Sequence, residues 1–419
     1  MKINKYHQWQ PNTWRNNVNK YKNIYINNHD EQNELDVVNY LKTLPNIVNV
    51  KNIHQLSSYI NSTFVLHIGE CAELFSQANK EDVQARLYFY SHLRALLEQN
   101  YKTVTLVGRI AGQYAKPRTE IVQQYNGKTL NNYLGDIVNS FDIDKRTPNI
   151  NNLTLAYQAA SNTYKYIEEF YHTVKNNDLF YKNAQENQYL DNILKVKLHT
   201  LEYKPEYIYT SHEALILQYE EALTRKIDDR YYNLSAHLLW VGAQNNALYG
   251  AQIEYIRGIY NPVMVKIHPK NCNIDYIQNL MHLLQNRVKN GIPVVPVVRI
   301  SIEDIHMWEE VLKYYYNSNN DLIWCVDPMH ANTTTYNDIK VRYYEDILNN
   351  YKALYNLGSK YKLPPRGISL EATYNNVTEC IDDIYVYKHL VSSQYHTKCD
   401  PRLNVRQSFH IIQDIINLK

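Results

Sequence analysis

Short apolar runs rich in β-branched residues alternate with longer stretches in which apolar residues recur every three or four positions. The runs are FVLHIG (64–69), TVTLVGR (103–109), HLLWVG (237–242), VMVKI (263–267), VVPVVRI (294–300), LIWCVD (322–327) and ISLEA (368–372), and an eighth, weaker candidate precedes CDPRLN (399–404). Between them, EDVQARLYFYSHLRALLEQ, NIDYIQNLMHLLQNRVKN, SIEDIHMWEEVLKYYYN and YYEDILNNYKALYNLG read as amphipathic helices, the last stopping on Gly358. Strands alternating with helices imply a parallel sheet with helical crossovers. Seven or eight such units predict an α/β fold, a (β/α)8 TIM barrel over residues 61–419. Two decorations exceed the minimal barrel: an N-terminal extension, 1–60, expected to pack on the barrel or on a partner subunit, and a helical insert near 150–230 between the second and third strands. No repeat or low-complexity tract divides the chain.

Composition narrows the class. Of 419 residues, 44% are hydrophobic and 21% charged, ordinary for a soluble globular protein. The net charge of +2 and the lack of a basic block argue against nucleic acid or a membrane surface as partner. The N-terminus has no apolar run resembling a signal peptide, and no 18 apolar residues occur in succession, so the expected location is the cytoplasm. Five scattered cysteines (Cys71, Cys272, Cys325, Cys380, Cys399) do not make a disulfide framework, and in a reduced compartment a cysteine can serve as a ligand.

Barrel sites form at the C-terminal ends of the strands, so the residues following each run carry the chemistry. Two groups emerge. Cys71, His330, Glu371 and Asp400 offer a thiolate, an imidazole and two carboxylates from four strands, a mixed set suited to Mn, Fe, Co or Zn and too soft for Mg or Ca. Arg109, Lys116, Arg118, Lys266, Arg299, Lys340 and Arg342 are the cations that phosphate or carboxylate recognition needs. No P-loop, dinucleotide fingerprint or His-Glu-x-x-His occurs, which points to a small anionic ligand and not a nucleotide.

GRIAGQYAKPRT (108–119), VDPMHANT (326–333), NNVTEC (375–380) and KCDPRLN (398–404), with WQPNTWR (9–15) and SAHLLWVG (235–242), together resemble the type II 3-deoxy-D-arabino-heptulosonate 7-phosphate (DAHP) synthases, in order and over nearly the whole chain. The resemblance implies a metal-dependent, aldol-like condensation of phosphoenolpyruvate with erythrose 4-phosphate in the shikimate pathway. It implies a divalent ion (Mn, Co, Fe or Zn) on Cys71, His330, Glu371 and Asp400, with Asp327 and Pro328 shaping the turn that presents His330. Arg109, Lys266 and Arg299 match the phosphoenolpyruvate-binding cations; Lys116, Arg118, Thr119 and Lys340 match the sugar-phosphate side; Arg342, Trp240 and Gln244 complete the expected substrate contacts. Arg109, Lys116 and Lys266 are the residues expected to act in catalysis. The expected assembly is a homodimer or a higher homo-oligomer. Cys399 also matches a family position, and with Cys71 it is expected to give a redox-sensitive metal-free state. Because the N-terminal segment is short beside long family members, feedback inhibition by Phe, Tyr or Trp is not expected.

The chain departs from the family pattern in specific places. Where the family has Gly-Glu-Arg-Thr-Arg after the LLWV run, this sequence reads Gly242-Ala243-Gln244-Asn245-Asn246. HIGECAE replaces Gln-Gly-Gly-Asp-Cys-Ala-Glu, so His67, Ile68 and Glu70 are changes beside Cys71; Ala331 replaces glycine, Ser369 a histidine and Tyr374 a glycine. The metal end is kept while the donor end is altered. Two alternatives therefore stand beside DAHP synthesis: a specialised-metabolism paralogue with a changed donor or acceptor, and a non-catalytic paralogue.

Overall fold

The computed structural model describes residues 8–17, 19, 21, 24, 25, 31–125, 127–176, 207–382 and 386–418. Eight parallel strands close into a barrel: β1 Phe64–Gly69, β2 Val104–Arg109, β3 Tyr209–Glu213, β4 Leu238–Val241, β5 Val263–Ile267, β6 Val294–Val298, β7 Cys325–Val326 and β8 Gly367–Glu371. Each pairs with its neighbours in chain order, and β8 closes on β1 with Gly69 opposite Glu371.

Strand alternation divides the apolar residues into two cores. Phe64, Leu66 and Ile68 of β1, Leu106 of β2, Val263, Val265 and Ile267 of β5 and Leu370 of β8 face outward and pack with the helical layer. Val65, Val107, Tyr209, Leu238, Met264, Val295, Val297 and Cys325 fill the interior. Counting on in twos from these interior positions arrives at His67, Arg109, Glu213, Trp240, Lys266, Arg299 and Asp327, and on β8 the residue after outward-facing Leu370 is Glu371. The parity that buries the lower core thus aims one functional side chain per strand into the barrel mouth.

Two strand assignments change. The third barrel strand is β3, within the stretch expected to be a helical insert, and the segment before CDPRLN is not a barrel strand. β3 reads YTSHE and has no apolar run, yet all five residues are buried. Its polar groups are paired instead: Thr210 with His237, Ser211 with the Gly108 carbonyl, His212 with Glu220, and the Glu213 amide with Gln113. A buried strand stabilised this way carries no hydropathy signal. Of the expected insert, a long helix at Asn152–Asn176 follows β2, and residues 177–206 lie outside the described residues.

The WQPNTWR segment lies against the barrel. Trp14 is fully buried and donates its Nε1 hydrogen to Glu221 at 3.1 Å, while Arg15 bridges Glu221 and Glu34. Trp9 donates to the Glu254 carbonyl and covers Gly258, where a Cβ would collide with its ring. Trp14→Ala should lower the unfolding free energy by about 3 to 5 kcal/mol, seen as an earlier urea midpoint with the same slope.

Candidate active site

Three loops at the barrel mouth are fixed by the buried carboxylates of Glu73, Asp327 and Glu379. After β1, Glu73 accepts hydrogen bonds from the backbone amides of Ala111, Gly112 and Gln113 and from Arg86, which pins the turn after β2 that leads to Lys116. Gly69 has φ +153°, and a Cβ there would lie 2.7 Å from the Arg109 carbonyl oxygen, so glycine lets β1 end against β2.

At the end of β7, Asp327 answers why an apolar strand finishes on Asp-Pro-Met-His. Its Oδ1 accepts from the amides of Met329 and His330, at 3.1 and 3.2 Å. Its Oδ2 sits 2.8 Å from both Lys266 Nζ and His330 Nδ1. With Nδ1 turned to Asp327, His330 presents Nε2 to Glu371 Oε1 at 3.1 Å. This second-layer carboxylate sets ring orientation in the way metal-ligating histidines require. Burial alone would raise the Asp327 pKa, but His330 and Lys266 outweigh it and hold it well below the usual carboxylate range.

Glu371 is fully buried between Arg109, at 3.1 Å from Oε1, and Arg342, at 2.8 Å from Oε2. Burial pushes its pKa up, and His330, Arg342 and Arg109 together carry it well below the ordinary range. Arg342 is itself fully buried, bonded to the Pro401 carbonyl and to Thr333, and does not line the cavity. It lies behind Glu371, and its expected contact with substrate has no surface here to be made through.

The loop carrying Cys399 and Asp400 is held by Glu379. This buried carboxylate accepts from the amides of His396, Thr397 and Arg402 and from Nε and Nη2 of Arg402. Arg402 Nη1 then bonds Glu70, the neighbour of Cys71, at 2.5 Å. One arginine between two carboxylates therefore ties the Asp400 loop to the Cys71 loop.

Cys71, Glu371 and Asp400 present ligating atoms within 4.8 Å of one another, and His330 Nε2 adjoins Glu371. A thiolate, two carboxylates and an imidazole fit a borderline-soft divalent ion. Lys116 Nζ lies in this cluster, 2.7 Å from Cys71 Sγ and 2.5 Å from Asp400 Oδ2. Burial would lower the Lys116 pKa, but Asp400 and Cys71 raise it well above its usual value, so it stays an ammonium. Cys71 and Cys399 share a buried cluster with Tyr133, and both are free thiols. The Cys71 thiol is pushed up by burial; Cys399 is lowered by the hydrogen bond from Cys71.

Above the cluster lies a cavity of about 280 Å³. Arg109, Lys116, Arg118, Thr119, Trp240, Gln244, Lys266, Arg299, His330, Lys340, Cys71 and Asp400 all line it, as does Glu213. The Trp240 ring lies under the Arg109 guanidinium at 4.2 Å and the Lys266 ammonium at 4.6 Å. Nε and Nη1 of Arg109 and Nε of Arg299 are buried without partners, donors available to an anion. Lys266 has its pKa lowered by burial and by Arg109, opposed by Asp327. Lys340 holds Asp400 at 2.9 Å, and Gln244 reaches Thr119 at 3.4 Å.

Glu213 was missed because β3 was missed. Its Oε1 has no partner, and burial raises its pKa against the opposing pull of Lys266, Lys116 and Arg109. A Cβ on Gly242 would meet Oε1 at 2.1 Å, so only glycine admits this carboxyl group. Inward parity at a strand end was the available signal.

The structure also joins two departures from the family pattern. Residues 67 and 369 face each other across β1 and β8, and His67 bonds Ser369 at 2.8 Å and Ser211 at 3.0 Å. Burial, Arg109 and Lys266 keep the His67 imidazole well below the usual histidine range, so it is neutral.

The family model described as the Class-II DAHP synthetase family matches residues 9–415. A Neurospora crassa protein named phospho-2-dehydro-3-deoxyheptonate aldolase is 30% identical, over 96% of this chain and 92% of its own length. A Streptomyces coelicolor protein of the same name is 31% identical, over 83% of each chain. No helix among the described residues is long and apolar enough to cross a membrane.

Glu379→Gln should weaken Co2+ binding about 10- to 100-fold by loosening the Asp400 loop, while Glu309→Gln, at an exposed ion pair, should not; chelator competition measures both.

Proposed function

Because this chain belongs to the class-II DAHP synthetase family, we propose that it is a carbon–carbon bond-forming transferase that condenses phosphoenolpyruvate with erythrose 4-phosphate to give DAHP and phosphate. The observation that carries this reading is one cavity in which a thiol, an imidazole and two carboxylates adjoin six cations. A divalent ion held by Cys71, His330, Glu371 and Asp400 would supply Lewis acidity to a carbonyl oxygen.

The remaining work falls to the side chains. Arg109 and Arg299 offer unpartnered donors to the carboxylate and phosphate of the donor substrate, and Lys266 adds charge beside them over Trp240. Lys116, Arg118, Thr119 and Lys340, which also line the cavity, receive the sugar phosphate. The cations lining the cavity offset the repulsion between two anionic substrates. The enol carbon attacks the aldehyde, water adds to the adjacent carbon, and phosphate departs by C–O cleavage. Glu213, which lines the cavity, is the candidate to take the proton from that water: its raised pKa makes it a better base.

A second reading, a changed donor, rests on Ala243 and Gln244, where charged family residues are absent. The loss of a charged partner for a buried anion costs about 1.5 to 3 kcal/mol. The cavity nonetheless keeps a carboxylic acid in Glu213 and three donor-side cations.

Incubation of the metal-loaded enzyme with both substrates should release phosphate and a seven-carbon product in equal amounts; phosphate release only with another donor would favour the second reading, and restoration by Ala243→Glu with Gln244→Arg would confirm which segment is responsible. Arg109→Met should raise the KM for phosphoenolpyruvate about tenfold or more, at roughly 1.5 to 3 kcal/mol for a charged hydrogen bond. Since burial lowers the Lys266 pKa, its positive charge is lost at a lower pH than that of a free lysine. The kcat/KM for the donor should therefore fall on the alkaline side below about pH 10.4, and Lys266→Arg should move that limb upward.

A further inference from the structure

A second cavity, of about 170 Å³, borders Cys71. Its lining runs from exposed His396 and Lys398 inward to buried Glu70, Cys399 and Cys71. Cys71 is the single residue that lines both this chamber and the substrate cavity. A candidate metal ligand can thus be approached from two sides.

The two approaches differ in charge. The substrate cavity is lined by Arg109, Lys116, Arg118, Lys266, Arg299 and Lys340, a field that draws phosphorylated substrates and repels a free cation. The chamber has two cations in its lining, Arg402 and Lys398, against the carboxylate of Glu70, together with an imidazole, a thiol and the amides of Gln77 and Asn375. Glu70 is 1% exposed; its Oε2 takes Arg402, and its Oε1 is buried with no hydrogen-bond partner. A buried carboxylate oxygen without a donor is costly unless a cation or a donor visits it. Arg402 shares its charge with Glu379, and the Lys398 ammonium sits 4.3 Å over the Phe141 ring. Glu70, His396 and Cys399 do not converge: among the described residues, the group of three ligands within 4.8 Å is Cys71, Glu371 and Asp400. The chamber therefore holds no ligand set of its own to store an ion.

We propose that this chamber is the passage by which a divalent cation reaches Cys71, so that the ion is loaded or exchanged while the substrate cavity is filled. The proposal rests on the metal reading above, and its test separates the two. Chelator-stripped, reduced full-length protein is mixed with Co2+, and uptake is followed by the near-ultraviolet thiolate–cobalt absorption, with and without saturating phosphoenolpyruvate. Wild type should load at the same rate in both conditions. With phosphoenolpyruvate present, Glu70→Gln, which keeps a partner for Arg402, should load about tenfold more slowly for want of the attracting charge. Asn375→Trp, at a partly exposed loop position, should slow it further by filling the chamber. Blockage of wild-type uptake by phosphoenolpyruvate, or unchanged rates in both variants, would overturn the passage while leaving the metal site intact. Absence of the absorption in every condition would overturn the metal site, and the passage with it.

Discussion

The burial of Glu371 is the constraint on which the rest of the site depends. A carboxylate at the centre of a barrel mouth is stable only when compensated, and here Arg109, Arg342 and His330 converge on it. Two of these partners are in turn committed elsewhere: His330 to Asp327, which also holds Lys266, and Arg342 to the Pro401 carbonyl beside Asp400. The charges therefore form one connected network around the barrel, and a shift in any strand end would be felt by all the others.

This network separates two tasks. Arg109 and Arg299 line the substrate cavity, whereas Arg86, Arg342 and Arg402 lie outside its lining and bond the carboxylates of Glu73, Glu371 and Glu379. Similar residue types thus serve recognition in one layer and construction in the next. Arg402 ties the Cys71 and Asp400 loops together, while Asp327 orients His330.

Much of this was legible in the sequence. Seven of the eight barrel strands announced themselves as apolar runs, and the residues just beyond them, from Cys71 to Glu371, line or underlie the cavity. The eighth strand, Tyr209–Glu213, was hidden because its burial rests on side-chain hydrogen bonds and not on hydrocarbon, and Glu213 was hidden with it. Arg342 was read as a substrate contact because a cation in a loop after His330 carries no sign of which way it points. His67 and Ser369 carry no sign in sequence that they meet, and strand pairing sets them side by side. What sequence lacks in each case is the partner across the sheet.

The most direct measurement of the account is zinc-edge X-ray absorption on the zinc-loaded protein. It should show a single sulfur at about 2.3 Å together with nitrogen and oxygen neighbours, and loss of that sulfur in Cys71→Ser. A shell of nitrogen and oxygen alone in the unmodified protein would contradict it.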